Sequence, residues 1–250
     1  MSDPIEALLD AVFLDAVFLD VGGVLHLPDH QVVLAGLAAV GLEVDPGCLD
    51  RCHYAGAAAL RLPDERPFDE TIWRTYQEGY AASLGIAERL IPRAVAALSV
   101  VFARPGVWSR LIPGTCPALA ELAATGVALA IVSNSDGTLE GRLRKEGLCQ
   151  VGDGPGVEVR VVVDSGCVGV SKPDPAIFDF AFAATGVPPQ RTVHVGDAPA
   201  MDIEGARAAG VQPWHLDPYG FCADDSHPHF QSLAEVAGEV ARVRREASPA

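Results

Sequence analysis

Short apolar runs alternate with helical patterns from about residue 105 onward, and this alternation constrains the fold more than any other feature. Runs of strand length occur at 127–132, 159–163, 192–195 and 211–215. The segments beside them, near 116–124, 138–146, 176–185, 200–209 and 232–244, carry apolar residues at three- and four-residue spacing. Strands joined by helices run parallel and are covered on both faces. The sequence therefore predicts an α/β protein with a Rossmann-like, doubly wound parallel sheet.

An all-helical block interrupts this pattern after its first strand. The segment AVFLD occurs twice, at 11–15 and 16–20, and only the second copy leads into a glycine turn, so we interpret it as the first strand. From 29 to 104 we count about four helices and no convincing strand. We therefore predict a core of residues 1–28 and 105–250 with an inserted all-α cap of residues 29–104. Such a cap would lie over the strand ends, where open α/β sheets bind ligands.

The N-terminal residues predict one more helix and the cellular location of the protein. Asp3, Pro4 and Glu6 form a helix-start pattern, so a short helix is expected to about residue 12. The N-terminus has no basic start or cleavage site of a signal peptide, and no apolar run reaches about 18 residues. We expect a cytoplasmic protein.

The charge of the chain excludes some partners. The formal net charge is −15, with 18 Lys and Arg residues against 33 Asp and Glu residues. A negative field repels nucleic acid and anionic membranes, so neither is expected as a partner. A phosphorylated substrate would need a local positive site. The sequence does not indicate an oligomeric state.

The six cysteines do not predict a disulfide framework, because they are scattered in a chain that we expect to be cytosolic. Cys48, Cys52 and His53 are close enough to suggest a metal site, but no second ligand pair completes it. Cys48 and Cys52 also lie one helical turn apart, which favours core packing.

Reactive polar groups follow four separate apolar segments. They are Asp20, Ser133 with Asn134, Lys172, and Asp197 with Asp202. The carboxyl ends of parallel strands meet at one edge of a sheet, so we expect these groups to lie close together. Carboxylate oxygens at this density suit Mg²⁺. Lys172 is one of only two lysines in the chain.

These segments resemble the haloacid dehalogenase superfamily of hydrolases, in the phosphatase-like branch with a helical cap inserted after the first core strand. The resemblance rests on DVGGVL at 20–25, VSN at 132–134, KPDP at 172–175, GD at 196–197 and DIEGA at 202–206, in this order. It covers nearly the whole chain from residue 16 to about 236.

The resemblance implies catalytic roles for three of these residues. Asp20 matches the nucleophile that forms an aspartyl-phosphate. Ser133, beside Asn134, matches the residue that hydrogen-bonds the transferring phosphoryl group. Lys172 matches the cation that neutralises charge on the nucleophile and the phosphate. Ser133, Asn134 and Lys172 are therefore the expected substrate-binding residues.

The resemblance also implies a magnesium cofactor. Asp20, the main-chain carbonyl of Gly22 and Asp197 match its protein ligands, and Asp202 matches a carboxylate that supports the metal site. Mg²⁺ would let an anionic nucleophile approach an anionic ester.

The chain departs from the family pattern at Gly22. Phosphatases of the family usually carry an Asp there, which protonates the leaving group and then activates water. Loss of such a group costs about 10²–10⁴ in rate. His26, Asp29, Asp136 and His53 are possible replacements, and the sequence does not choose among them.

Three functions follow as hypotheses. The first is a Mg²⁺-dependent phosphatase of a small phosphorylated metabolite, such as a sugar phosphate or a phosphoglycolate-like acid. The second is a catalytically impaired phosphate-binding or regulatory protein that lost turnover with the Asp at position 22. The third is a 2-haloacid dehalogenase, in which Asp20 attacks carbon without a metal. That subgroup typically has an aromatic residue where Gly22 stands and lacks a metal-binding Asp at position 197.

Several helical-block residues could contact a substrate, although such residues more often pack helices or face solvent. They are Arg51, His53, Arg61, Arg66, Trp73, Arg74, Tyr76 and Tyr80. Three histidines near the C-terminal strand, His215, His227 and His229, receive no role.

Overall fold

The computed structural model describes residues 14–61 and 70–247. The helix predicted for 3–12 and the candidate contact Arg66 lie outside these ranges. None of the helices in the described ranges combines the length and the apolar composition needed to cross a bilayer.

Ten strands and ten α-helices occur in the described residues. The strands are β1 (Ala16–Leu19), β2 (His26–Pro28), β3 (Trp108–Leu111), β4 (Ala128–Ser133), β5 (Cys149–Val151), β6 (Val157–Val159), β7 (Val162–Asp164), β8 (Thr192–Gly196), β9 (Gln212–Leu216) and β10 (His229–Phe230). The helices are α1 (His30–Ala39), α2 (Leu49–Ala59), α3 (Glu70–Ala82), α4 (Ile91–Phe102), α5 (Thr115–Ala124), α6 (Leu139–Glu146), α7 (Ser165–Val168), α8 (Ala176–Thr185), α9 (Glu204–Ala208) and α10 (Leu233–Glu246).

Six strands form the central sheet, in the order β10-β9-β8-β1-β4-β7, and every pair is parallel. β1 lies inside the sheet, between β8 and β4, so the chain extends the sheet first on one side of β1 and then on the other. A ligand cleft is expected at such a change of direction, outside the carboxyl ends of the strands. The predicted doubly wound parallel sheet is confirmed.

Alternate residues of β1 enter separate cores on the two faces of the sheet. Val17 and Leu19 pack with apolar residues of α5, α6 and α10. Ala16 and Phe18 pack with apolar residues of α8 and α9. This alternation follows from the two-residue period of a strand, and β1 is buried on both faces.

The helical block, α1 to α4, has a third core that also contains Ala198 and Met201 from the segment after β8. α1 begins at Asp29, whose Oδ1 accepts hydrogen bonds from the backbone N–H groups of Gln31 and Val32. Within 29–104, the described residues contain four α-helices and no strand, as predicted. The antiparallel pair of β2 and β3, which brackets the block, was not predicted.

Two predicted elements are wrong in detail. The strand predicted for 159–163 is split, because β6 pairs with β5 while β7 joins β4 in the central sheet. Arg160 lies exposed between the two pieces. The helix predicted for 200–209 begins as a π-helical turn, Pro199–Ile203, before α9. The Asp202 carboxylate accepts the backbone N–H of Ala198 at 3.0 Å and holds this wide turn.

Candidate active site

Neighbouring strands bring three predicted site residues to one edge of the sheet. Asp20 follows β1, Ser133 ends β4 and Asp197 follows β8. All three line a cavity of about 790 Å³. The other predicted site residues in its lining are Gly22, Asn134, Lys172 and Asp202. The structure therefore brings all seven together.

Lys172 is the centre of a buried charge network. It is 1% exposed, and its Nζ donates hydrogen bonds to Asp202 Oδ1 at 2.5 Å and to the Val132 carbonyl at 2.9 Å. The same Nζ lies 3.0 Å from Asp20 Oδ1. One cation thus lies between two buried carboxylates.

The network sets the charge of its members. Burial opposes the charge of Lys172, but Asp20 and Asp202 outweigh burial and raise its pKa. Burial also opposes the charge of Asp202, yet Lys172 and His194 hold the pKa of this carboxyl well below its usual range. Burial raises the pKa of Asp20, and Lys172 works against that rise. Lys172 is therefore held in its charged form beside the ionised carboxylate of Asp202.

Asn134 and Asp202 make contacts that hold other groups in place. The Asn134 amide donates to the Lys172 carbonyl at 2.9 Å and accepts from the Lys172 N–H at 2.8 Å. Both polar atoms of this amide therefore bond the lysine backbone, and its contact with substrate stays a prediction. The Asp202 oxygens bond Lys172, His194 Nε2 at 2.9 Å and the Ala198 N–H. This pattern supports the role of a carboxylate that orders the site.

His53 reaches from α2 to the sheet edge. Its Nε2 lies 2.9 Å from Asp197 Oδ2, and its Nδ1 lies 2.9 Å from the Tyr76 hydroxyl. The imidazole is buried and stands edge-on to Trp108, with ring centroids 5.5 Å apart. Burial raises the pKa of Asp197 to about 6, and the hydrogen bond from His53 opposes this rise. A residue of the helical block thus contacts a predicted metal ligand.

The carboxylates fit a hard divalent cation. Asp20, Asp197 and Asp202 each offer an oxygen, and these oxygens lie within 4.8 Å of one another. Asp20 Oδ1 is buried, and the Lys172 ammonium lies 3.0 Å from it. Several carboxylate oxygens this close together are the donor set that Mg²⁺ prefers.

The two glycines after Asp20 differ in what they require. At Gly23, φ is 68° and a Cβ would lie 2.2 Å from Asp197 Cγ, so a side chain does not fit. At Gly22, the nearest atoms to a Cβ are those of the Trp108 ring at 3.9 Å and beyond, which is ordinary contact. A Cβ at position 22 therefore fits, and crowding at the Cβ does not explain why the acid–base carboxylate is missing.

The structure separates the four candidate replacements for that carboxylate. His53 and Asp136 line the cavity. His26 does not line it, and its Nε2 lies 2.8 Å from a carboxylate oxygen of Glu146. Asp29 caps α1. The candidates in the cavity are therefore His53 and Asp136.

Of the helical-block residues proposed to contact substrate, His53, Trp73 and Tyr76 line the cavity, whereas Arg51, Arg61, Arg74 and Tyr80 are not among its lining residues. Sequence reasoning missed Arg104 and Arg142, which also line it. Arg142 Nε is buried and has no hydrogen-bond partner among the described residues. Neither arginine lies in a motif, so no signal in the sequence singled it out.

Comparison with known proteins finds a family model and several curated relatives of this chain. A model of haloacid dehalogenase-like hydrolases matches residues 14–210. Phosphoserine phosphatase from Thermus thermophilus is 36% identical over 151 residues, which cover 60% of this chain and 55% of the relative. Phosphoglycolate phosphatase from Pseudomonas putida is 28% identical over 127 residues, covering 51% and 44%. The chain thus spans about half the length of these curated relatives.

Solved structures agree on the fold. A phosphatase of this superfamily from Thermococcus onnurineus superposes with a TM-score of 0.53 at 19% identity, covering 90% of this chain and 97% of that one. A 2-haloacid dehalogenase from Pseudomonas syringae superposes with a TM-score of 0.52 at 20% identity, covering 92% and 99%. Since phosphatases and dehalogenases match equally well, the fold does not choose between them. The matched family model, which covers more than half of the residues, identifies this chain as a member of the haloacid dehalogenase-like hydrolases.

Proposed function

We propose that this protein is a Mg²⁺-dependent phosphatase of a small phosphorylated metabolite. The observation that carries the proposal is the cluster of Asp20, Asp197 and Asp202, in which Asp20 and Asp202 pair with one buried lysine. A dehalogenation at Asp20 needs no second carboxylate for a metal, whereas transfer of a dianionic phosphoryl group needs positive charge on several sides. Phosphatase names among the relatives support the same choice.

The proposed reaction has two displacements. The Asp20 carboxylate attacks phosphorus, a bond from carboxylate oxygen to phosphorus forms, and the bond to the leaving oxygen breaks with its electron pair, so that the leaving oxygen takes up one proton. Water then attacks phosphorus and gives up one proton while the bond between phosphorus and Asp20 breaks, which frees phosphate and restores the carboxylate. Lys172 neutralises charge on Asp20 and on the phosphoryl oxygens, and Ser133 donates a hydrogen bond to them.

Asp20, Asp197 and the Gly22 carbonyl would hold the metal, with Asp202 as the supporting carboxylate. When bound, Mg²⁺ supplies charge neutralisation at the phosphoryl oxygens. The hydrogen bond from His53 to Asp197 Oδ2 leaves the other oxygen of this carboxylate for the cation.

We further propose that residues 29–104 act as a cap over this site. His53, Trp73 and Tyr76 come from the helical block, and they line one cavity with the catalytic residues of the sheet. The Tyr54 hydroxyl also donates to the Gly23 carbonyl at 2.8 Å, which ties α2 to the loop after β1. Such contacts exclude water from the reacting groups.

The substrate class that the cavity favours is a phosphorylated acid. Arg104 and Arg142 line the cavity in addition to Lys172. A guanidinium can bind a carboxylate with two parallel hydrogen bonds. Two relatives are named for substrates of this class, phosphoserine and phosphoglycolate. We expect such acids to be better substrates than sugar phosphates.

Phosphate release from a panel of metabolites tests the proposal. The panel contains phosphoserine, phosphoglycolate, sugar phosphates and an activated aryl phosphate, each assayed with Mg²⁺ or with chelator. We expect release that requires both Mg²⁺ and Asp20, with Asp20→Asn as the inactive variant. Asp15→Asn is the matched control, because Asp15 holds the same place in the first AVFLD copy and pairs with Arg244 at the opposite end of β1.

One outcome of this panel would favour the impaired, phosphate-binding protein instead. That protein would bind phosphate with Mg²⁺ but would not turn over even the activated ester. Loss of halide from a 2-haloacid without Mg²⁺ would favour the dehalogenase.

A further inference from the structure

A second cluster of side chains that could bind a metal lies around β9 and β10, next to the proposed active site but outside the lining of its cavity. His215 belongs to β9, Cys222 and His227 to the segment that follows, and His229 to β10. Each offers one ligand atom, and these four atoms lie within 4.8 Å of one another. His215 and His229 are paired across the parallel strands, so both side chains lie on one face of the sheet.

Two of the imidazoles are oriented by backbone carbonyls. His215 Nε2 lies 3.1 Å from the Asp197 carbonyl, and His229 Nε2 lies 3.0 Å from the Asp224 carbonyl. A carbonyl only accepts, so each Nε2 donates a proton to it, and Nδ1 is the ring nitrogen that can bind a metal. His229 Nδ1 also lies 3.5 Å from Asp217 Oδ2. A histidine that ligates a metal through one ring nitrogen commonly donates the N–H of the other ring nitrogen to a backbone carbonyl.

The third imidazole presents its Nε2 to the cluster. This atom lies 3.2 Å from His215 Nδ1 and 4.0 Å from Cys222 Sγ. Its outer nitrogen, Nδ1, lies 3.4 Å from the Asp224 carboxylate and 3.2 Å from Arg207 Nη2. A guanidinium only donates, so Nδ1 accepts from Arg207 in this geometry. When Nε2 binds a metal, Nδ1 carries the proton and must donate it to Asp224 instead.

The segment that carries the cluster has little regular structure of its own. Between β9 and β10 the chain forms turns and coil, and β10 has only two residues. The Asp217 carboxylate accepts the backbone N–H groups of Phe221 and Cys222, both at 2.9 Å, and so holds the cysteine beside the histidines. Loops of this length without helix or strand usually have a specific function.

We propose that His215, Cys222, His227 and His229 form a structural Zn²⁺ site that fastens the segment between β9 and β10 to the sheet. One thiolate and three imidazoles are typical ligands of tetrahedral zinc and poor ligands for Mg²⁺. The ligand chemistry therefore separates this site from the carboxylate site.

The proposed zinc site also contacts the edge of the sheet that carries the proposed active site. A metal on His215 Nδ1 keeps the proton on Nε2, and this proton is donated to the Asp197 carbonyl. Zinc would thus support the backbone that presents Asp197, without contact with the substrate.

Metal content and Co²⁺ absorption test the proposal on the full chain. The protein is loaded with Zn²⁺ or Co²⁺ in excess Mg²⁺, which occupies the carboxylate site. We expect one tightly bound Zn²⁺ per chain, and for Co²⁺ a thiolate-to-metal charge-transfer band with intense four-coordinate visible bands. Cys222→Ser should abolish the charge-transfer band and weaken Zn²⁺ binding more than about 100-fold. Asp224→Ala, which leaves all four ligands in place, should weaken it about 10–100-fold.

Two controls make the result specific. Cys167→Ser removes an exposed cysteine of α7, and Asp20→Asn removes a ligand of the proposed carboxylate site. Both should keep the charge-transfer band and the bound Zn²⁺. The proposal is overturned if wild-type protein shows no such band, if Cys222→Ser retains it, or if the bound Zn²⁺ is lost with Asp20. Circular dichroism of each variant separates loss of ligand from loss of fold, and His229→Gln, at a half-buried position, gives a second ligand variant.

Discussion

At the residue scale, the proposed site depends on a lysine that is buried among carboxylates. Lys172 reaches Asp20 and Asp202, and its backbone is held by the Asn134 amide. A buried charge is tolerated only when it is paired, so the three charged groups depend on each other. The lysine therefore serves the fold as well as the proposed chemistry.

Replacement of this lysine gives the first prediction. Lys172→Met leaves two buried carboxylates without their cation, so we expect a loss of about 3–5 kcal/mol in the free energy of unfolding, together with loss of phosphate release. Urea denaturation and the panel assay measure the two effects. Lys145→Met changes the other lysine, which is exposed on α6, and should alter neither. Equal stability of the two variants would show that the buried network contributes little.

Position 22 gives the second prediction. Gly22→Asp restores the carboxylate that the family's phosphatases carry, and the Trp108 ring leaves room for its Cβ. If proton transfer limits turnover, release from alkyl phosphates should rise by up to about 10²–10⁴, while release from the aryl phosphate should change little. Gly22→Asn has the same shape without the acid and serves as control. An unchanged rate for alkyl phosphates would mean that another group already transfers the proton.

At the element scale, the strand ends determine which side chains meet. β8, β1 and β4 are neighbours, so Asp197, Asp20 and Ser133 arrive side by side although they lie far apart in the chain. The helical block contributes further residues to the site, and α2 places His53 in contact with Asp197.

The start of α1 gives the third prediction, which also separates a structural carboxylate from a catalytic one. Asp29 caps α1 with two hydrogen bonds and was one candidate for the missing acid–base group. Asp29→Ala should lower the free energy of unfolding by about 1 kcal/mol and leave kcat for an alkyl phosphate unchanged. Asp29→Asn keeps the acceptor and should retain most of the stability. Thermal unfolding and the panel assay provide the readouts, and a fall in kcat with Asp29→Ala would contradict this assignment.

The sequence predicts strand ends well because apolar runs and the polar residue after them are local features. Strands joined by helices run parallel, so their carboxyl ends share one edge, and Asp20, Ser133 and Asp197 could be grouped without coordinates. The family motif added Lys172. The contact between His53 and Asp197 could not be predicted, because 144 residues separate them and packing of the helical block decides it. The run 159–163 was misassigned because periodicity does not show that β6 and β7 pair with different strands.

At the scale of the whole molecule, stability and metal binding are linked. Net charge is −15, and three carboxylates of the proposed metal site face each other within 4.8 Å. A divalent cation that binds only the folded state relieves this repulsion and stabilises the fold.

Mg²⁺ titration gives the fourth prediction. At 100 times its Kd, Mg²⁺ should add about 2.7 kcal/mol to the free energy of unfolding, which corresponds to a rise in Tm of about 5–10 °C for a chain of this size. Chelator should reverse the rise. Asp197→Asn should abolish the Mg²⁺ effect, whereas Asp15→Asn should preserve it. A Tm that does not respond to Mg²⁺ would contradict the proposed metal site.

The most direct test of the central claim is to detect the phosphoryl group on Asp20. Protein is mixed with the best substrate of the panel and Mg²⁺, quenched in acid within one turnover, and digested for mass spectrometry. The account predicts one added phosphoryl group on the peptide that contains residues 16–20, absent with chelator and absent in Asp20→Asn. Phosphate release by the Asp20→Asn variant at the wild-type rate, or a phosphoryl group on another peptide, would contradict the account.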